Sequence, residues 1–226
     1  RSVERSRDGG AGQTDPHVME DGVVQIAPAL IAALDLFGIA VFAASGALAA
    51  ARLKQTLVTF AFFALVTGVG GGTVRDLLIG APVFWVQDWR FPASCLATAL
   101  LVWVTPVRIW SPRALDWFDA VGLAVYSVFG AWKSLSLGIG LLPAMMMGVI
   151  TACVGGVIRD MLAGVPSIIL RPELYVTASA LASGLFVVLL GFGLPLGFAA
   201  LVSVAAGFGL RAAAITKGLA IPAYKG

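Results

Sequence analysis

Two short stretches set a base and an acid side by side inside otherwise apolar sequence: Arg75-Asp76 in "TGVGGGTVRDLLIGAP" (67–82) and Arg159-Asp160 in "TACVGGVIRDMLAGVP" (151–166). An Arg or Asp in the middle of a membrane helix costs at least ~2.5 kcal/mol on insertion scales, so each is expected to face a partner or water. Consecutive glycines precede both pairs, Gly70, Gly71 and Gly72 in the first and Gly155 and Gly156 in the second. Glycine in a helix interior costs about 1 kcal/mol relative to alanine, so these runs are expected to kink or unwind their helices. Non-helical backbone at membrane depth is tolerated where it is buried in protein or lines a water-filled cavity, and its freed carbonyls can coordinate cations. Close packing through small residues is the alternative, and it suits Gly38, Gly46, Gly122 and Gly130.

Adjacent residues on a helix point in different directions, so Arg75 and Asp76 are not expected to be each other's main partner. Depth in the membrane suggests Asp35–Arg75 and Asp119–Arg159 as symmetric buried pairs, with snorkelling of each arginine to the headgroups as the alternative. Ser45, Thr67, Tyr126, Ser127 and Thr151 are further polar groups on the same apolar spans. Lys133 lies near the end of its span, where snorkelling is the default and a pore or gate role the alternative.

Catalysis finds little support. The one histidine, His17, lies in a polar N-terminal stretch, no nucleophile–base constellation is evident, and the carboxylates have arginines nearby. Cys95 and Cys153 form no CxxC pair, so neither a metal site nor a cofactor is indicated; two buried thiols are expected rather than a disulfide. The six tryptophans mostly fall near expected interfaces, as aromatic belts do.

The elements that must position these residues are membrane helices. The chain is 59% hydrophobic and 12% charged, with a mean hydropathy of +0.96, against about 25% charged in soluble domains. Apolar runs near the ~20 residues needed to cross a bilayer fall at 27–51, 56–79, 91–107, 115–133, 139–163, 174–193 and 195–214. Residues 1–25 form a polar stretch without period and without a signal-peptide pattern, expected to be a disordered tail in which Met19 is a possible start. Residues 215–226 are expected to be a cytoplasmic tail. Residues 22–226 carry 12 bases and 7 acids, an excess that fits cytoplasmic loops and does not require nucleic acid. Arg52, Lys54, Arg108, Arg113, Arg171, Arg211, Lys217 and Lys225 share one side, which puts the N-terminus outside and the C-terminus in the cytoplasm.

The two charged stretches are copies. They align without gaps at an offset of 84, with 8 of 16 positions identical, and the same offset matches "DLFGIAVFAASGA" (35–47) to "DAVGLAVYSVFGA" (119–131) at 6 of 13. Compositional bias does not supply Asp, Arg and Asp at one common offset. Each copy, 27–107 and 115–193, holds three spans. Because three is odd, the second copy must enter the membrane from the opposite side, giving an inverted 3+3 repeat with a seventh helix at 195–214. The fold class is therefore an all-α membrane protein of seven transmembrane helices, an architecture of transporters and channels.

Two three-span units with GG-x-x-RD and a seventh span resemble the prokaryotic branch of the trimeric intracellular cation (TRIC) channels, over essentially all of 27–214. The resemblance implies a homotrimer with a pore in each protomer, shaped by glycine-kinked second and fifth helices. It also implies a monovalent cation, mainly K⁺ and secondarily Na⁺, as permeant, and a bacterial inner membrane as the setting. The kinks would be Gly70, Gly71, Gly72 and Gly155, Gly156, followed by Arg75, Asp76, Arg159 and Asp160. The second copy departs from the first in having Val154 where the first has Gly70, so span five is expected to be less broken. The same unit has also been labelled a glycine-transporter domain. A carrier is therefore the alternative, with helix N-termini for the substrate carboxylate and Asp35 or Asp119 for the ammonium.

Overall fold

The computed structural model describes residues 28–170 and 174–220. The polar stretch 1–25, with His17 and Met19, lies outside the described residues, as do Arg171 and Lys225. Eight helices follow in order: α1 (Pro28–Arg52), α2 (Leu57–Leu78), α3 (Phe84–Gln87), α4 (Arg90–Val104), α5 (Ala114–Ser136), α6 (Leu141–Leu162), α7 (Val176–Gly191) and α8 (Leu196–Lys217). All but the single-turn α3 correspond to the seven expected spans.

Five of them are long and apolar enough to cross a membrane, over 35–52, 57–78, 114–136, 141–162 and 196–217. The other two, α4 with 15 residues and α7 with 16, are shorter. At 1.5 Å per residue such a helix reaches about 23 Å, less than a full hydrocarbon core. Each is the third helix of its repeat, and each is preceded by a folded-back turn, α3 in the first copy and the 3₁₀ turn Ile168–Leu170 in the second. The loops that lead into these turns begin alike. Gly80 and Gly164 end α2 and α6 in the left-handed conformation at φ 68° and 66°.

The repeats are related by a two-fold axis, as their reciprocal contacts show. A Cβ on Gly71 would overlap the carbonyl oxygen of Thr151, and one on Gly155 would overlap that of Thr67. The offset of 84 turns Gly71 into Gly155 and Thr67 into Thr151, so each contact is the repeat mate of the other. The α1–α5 crossing behaves in the same way: Gly38 lies against the Tyr126 ring and Gly122 against the Phe42 ring. Contacts of i with j and of j with i mark an isologous, two-fold interface. With three spans per copy, the axis lies in the membrane plane.

The largest buried cluster joins α1, α2, α4 and α5, with Ile39, Phe42, Phe63, Leu123 and Tyr126 at its centre. A smaller one around Phe186 and Val187 joins α7 to α5 and α8. α8 lies outside the repeat and packs on α7 and α5.

The unwinding expected at the glycine runs is absent. α2 and α6 are helical without interruption through Gly70–Gly72 and Gly155–Gly156. Gly71 and Gly155 serve the alternative role, removing the side chains that would keep α2 and α6 apart, while Gly72 makes room for the Phe84 ring and Gly156 for the Tyr175 hydroxyl. Backbone packed on backbone offsets their cost in helix propensity, and Val154 for Gly70 makes no visible difference to helix continuity.

Candidate functional site

Each repeat holds a buried charged centre at the end of its second helix, opposite ends of the molecule in the two copies. In the first, Arg75 curls onto its own neighbour: Nε donates to Asp76 Oδ1 at 2.9 Å and Nη2 lies 2.8 Å from the same oxygen. The second repeats this, with Arg159 Nε and Nη2 both 2.9 Å from Asp160 Oδ1. Both arginines are 1% exposed, so neither snorkels. The expectation that neighbours do not pair considered only the direction of Cβ. An arginine side chain is long enough to bend back over one residue, and burial leaves it little else to do.

The other oxygen of each aspartate closes the loop that follows. Asp76 Oδ2 accepts the Phe84 backbone N–H at 3.1 Å, and Asp160 Oδ2 accepts that of Ile168 at 2.7 Å. Both bonds span eight residues. Sequence analysis did not single out Phe84 or Ile168; their equal spacing from the aspartate in both copies is the signal that could have found them.

Of the two long-range pairs expected, one is present. Arg159 Nη1 donates to Asp119 Oδ1 at 2.6 Å and to Ser45 Oγ at 2.9 Å. The Asp35–Arg75 pair is not formed. Asp35 accepts instead from the Tyr126 hydroxyl at 2.6 Å, and the face of Arg75 is covered by Phe84 and Phe129, whose ring centroids lie 5.9 and 5.7 Å away. Sequence explains the difference. The mate of Ser45 is Phe129, which offers no oxygen, and the mate of Tyr126 is Phe42, so the α1–α5 crossing gives Asp35 a phenol and sets a plain phenyl ring in the matching place.

Lys133 does not snorkel either. Its Nζ donates to Asp76 Oδ1 at 3.0 Å and to Oδ2 at 3.2 Å, with the side chain 23% exposed. Its mate is Ala49, and there a cavity of about 120 Å³ opens instead, lined by Ala49, Arg52, Asp116, Arg159 and Asp160 among others. A different base serves the second centre. Arg211 of α8, counted from sequence among the interfacial charges, is buried with its guanidinium 5.2 Å from the Tyr175 ring centroid. A Cβ on Gly156 would sit 2.8 Å from the Tyr175 hydroxyl and 3.2 Å from Asp119 Oδ1, which places Tyr175 at this centre. Nothing in the repeat pattern pointed to Arg211, because α8 has no copy.

The remaining polar candidates divide. Thr67 and Thr151 lie at the α2–α6 crossing; Thr151 Oγ1 donates to Met147 O at 2.5 Å, and Thr67 Oγ1 is buried without a hydrogen-bond partner among the described residues. Ser127 turns away to α7, where its Oγ lies 2.6 Å from that of Ser179. Cys95 and Cys153 are buried free thiols.

A family model described as "Glycine transporter" matches the chain twice, over residues 32–106 and 116–191. The solved structure of a TRIC trimeric intracellular cation channel orthologue from Rhodobacter sphaeroides is 42% identical, over 84% of this chain and 99% of that one, with a TM-score of 0.78. The chain belongs to the TRIC channel family. A second TRIC channel structure, solved to explain conductance, is 27% identical over 88% of this chain and 98% of that one, with a TM-score of 0.77. Among curated relatives, a UPF0126 membrane protein of Vibrio cholerae is 38% identical over 92% of this chain and 88% of its own length. The UPF0126 inner membrane protein YadS of Escherichia coli is 38% identical over 84% and 94%. TRIC is a family of channels, not of enzymes.

Proposed function

We propose that this TRIC family member is a monovalent cation channel, carrying mainly K⁺ and to a lesser degree Na⁺, with an ion path between the two repeats of each protomer. The observation that carries the reading is the pair of buried charged centres on either side of the α2–α6 crossing, in a chain 42% identical to a trimeric cation channel orthologue. Because the helices are not unwound, the path does not rely on freed carbonyls. Its polar groups are the carboxylates of Asp35, Asp76, Asp119 and Asp160 and the hydroxyls of Ser45, Thr67, Tyr126 and Thr151. Thr67 Oγ1 and Arg75 Nη1 are buried without a hydrogen-bond partner among the described residues, a costly state that a hydrated path relieves.

In this reading the path is closed on one side. Lys133 occupies, as a tethered ammonium, the place where a cation would meet Asp76, whereas the cavity beside Ala49 reaches Asp160. Withdrawal of Lys133 would open the first centre and convert an electrostatic barrier into a cation site. The assembly is a homotrimer in a bacterial inner membrane, with bilayer lipid around it, the N-terminus outside and the C-terminus in the cytoplasm. The basic residues Arg52, Lys54, Arg108 and Arg113 on one face support that orientation.

The description "Glycine transporter" of the matching family model keeps a small-amino-acid carrier as the alternative. Flux separates the two. Purified protein in proteoliposomes is expected to pass K⁺ down its gradient without saturable uptake of radiolabelled glycine; saturable glycine uptake without K⁺ flux would reverse the assignment.

A further inference from the structure

Five helices, α1, α2, α5, α6 and α7, end in the same cap, in which the amide of the third residue beyond the helix donates five residues back. The bonds are Gln55 N to Ala50 O, Ala81 N to Asp76 O, Ile139 N to Ser134 O, Val165 N to Asp160 O and Leu194 N to Leu189 O, at 2.8–3.2 Å. This Schellman geometry needs a left-handed residue just before the donor, and glycine is the usual one. Gly80, Gly138, Gly164 and Gly193 fill it in four of the caps. At the end of α1 the residue is Lys54, at φ 52°, the only non-glycine with positive φ among the described residues. Its repeat mate is Gly138. A lysine in this conformation carries strain that glycine avoids, and a strained residue kept in place points to a use for its side chain.

Lys54 stands on a cavity of about 410 Å³, within the range of ligand pockets, between the ends of α1 and α4 and the starts of α2 and α5. Its polar wall is Arg52, Lys54, Gln55, Thr105 and Ser111, its apolar wall includes Trp103 and Trp110, and among the described residues no acidic side chain lines it. Arg52 is fixed there by donation from Nη2 to Pro112 O at 2.8 Å. Pseudo-symmetry supplies a control within the same molecule. In the second repeat the mates of Arg52, Lys54 and Gln55 are Ser136, Gly138 and Ile139, and those of Trp103 and Trp110 are Val187 and Leu194. The fold therefore closes without these side chains, and the basic and aromatic set is an addition to one face. Helix ends and starts mark the membrane–water boundary, where tryptophan sits at headgroup level and Lys and Arg attract anionic lipid.

We propose that this cavity is a binding site for the phosphate headgroup of an anionic membrane phospholipid, with Arg52 and Lys54 as the phosphate partners and Trp103 and Trp110 against the glycerol. The starts of α2 and α5 beside it add the positive ends of two helix dipoles. The site stands whether or not the protein conducts ions.

The test is lipid-dependent thermal stability and native mass spectrometry of the full chain in detergent, titrated with phosphatidylglycerol, phosphatidylcholine or inorganic phosphate. The parent is expected to be stabilised by phosphatidylglycerol well beyond phosphatidylcholine. Lys54→Gly is expected to melt at or above the parent without lipid, because its backbone strain is relieved, and yet to bind phosphatidylglycerol roughly fivefold more weakly. Arg52→Gln is expected to weaken binding to a similar degree. An unchanged phosphatidylglycerol response in Lys54→Gly, or an equal response of the parent to phosphatidylcholine, overturns the proposal. Equal stabilisation by inorganic phosphate alone would make the ligand a soluble anion and overturn the lipid assignment.

Discussion

Lys133 Nζ lies 3.0 Å from Asp76 Oδ1, while the matching place in the other half of the molecule holds Ala49 and a cavity of about 120 Å³ that reaches Asp160. Two halves built from one duplicated unit thus differ in charge at this centre. One carboxylate is covered by a tethered ammonium and the other is open to small solutes.

If that ammonium is a barrier, removing it raises flux. Lys133→Ala is expected to increase K⁺ efflux from proteoliposomes several-fold, whereas Lys133→Arg stays near the parent. Asp76 keeps Arg75 and the Phe84 amide, so the loss of the ammonium, which donates to both carboxylate oxygens, is expected to cost roughly 1–3 kcal/mol and leave the protein folded. Equal flux from Lys133→Ala and the parent would remove Lys133 from the gate.

The α2–α6 crossing tolerates nothing larger than glycine where backbone meets backbone. Gly71→Ala and Gly155→Ala are expected to destabilise the protein by roughly 1–3 kcal/mol each through overpacking. Gly70→Ala is the contrast, because its Cβ would meet the end of the Ile158 side chain at 3.1 Å, which can move. Thermal melts in detergent that show all three alike would contradict the packing role assigned to Gly71 and Gly155.

Asp119 and Asp35 are repeat mates with different partners, and their substitutions should differ accordingly. Asp119→Asn leaves Arg159 short of a buried charge partner and is expected to cost roughly 3–5 kcal/mol. Asp35→Asn, facing a tyrosine hydroxyl, is expected to cost about 1 kcal/mol. Exchanging Asp35 and Arg75 should be no milder than either single alanine variant, since the two do not pair.

Tyr126→Phe makes the second repeat match Phe42 of the first. It removes the bond to Asp35 but keeps the ring against Gly38, so a loss of about 1 kcal/mol is expected. A larger loss in the melt would mean that the hydroxyl holds more than Asp35.

Much of this architecture was legible in the residues because duplication doubles the signal. The offset of 84 predicts the inverted repeat, and with it the reciprocal Gly71–Thr151 and Gly155–Thr67 contacts become natural. Asp119–Arg159 was legible as a pair, but Asp35–Arg75 was not refuted until the neighbours were in place. Ser45 versus Phe129 and Tyr126 versus Phe42 decide which carboxylate an arginine can reach, and those differences lie outside the matching positions. The glycine runs misled for a related reason. Propensity gives the cost of glycine in a helix but not the gain from a backbone crossing, which depends on another helix far away in sequence. Arg211 was illegible as part of the second centre because α8 has no counterpart to compare.

The most direct measurement is of unitary currents from the purified protein in planar bilayers under a K⁺ gradient, with Lys133→Ala recorded beside the parent. Discrete openings that reverse near the K⁺ equilibrium potential, and are more frequent in Lys133→Ala, are the predicted result. Bilayers that stay silent with both proteins, while the same preparations take up glycine with saturation, would contradict the channel.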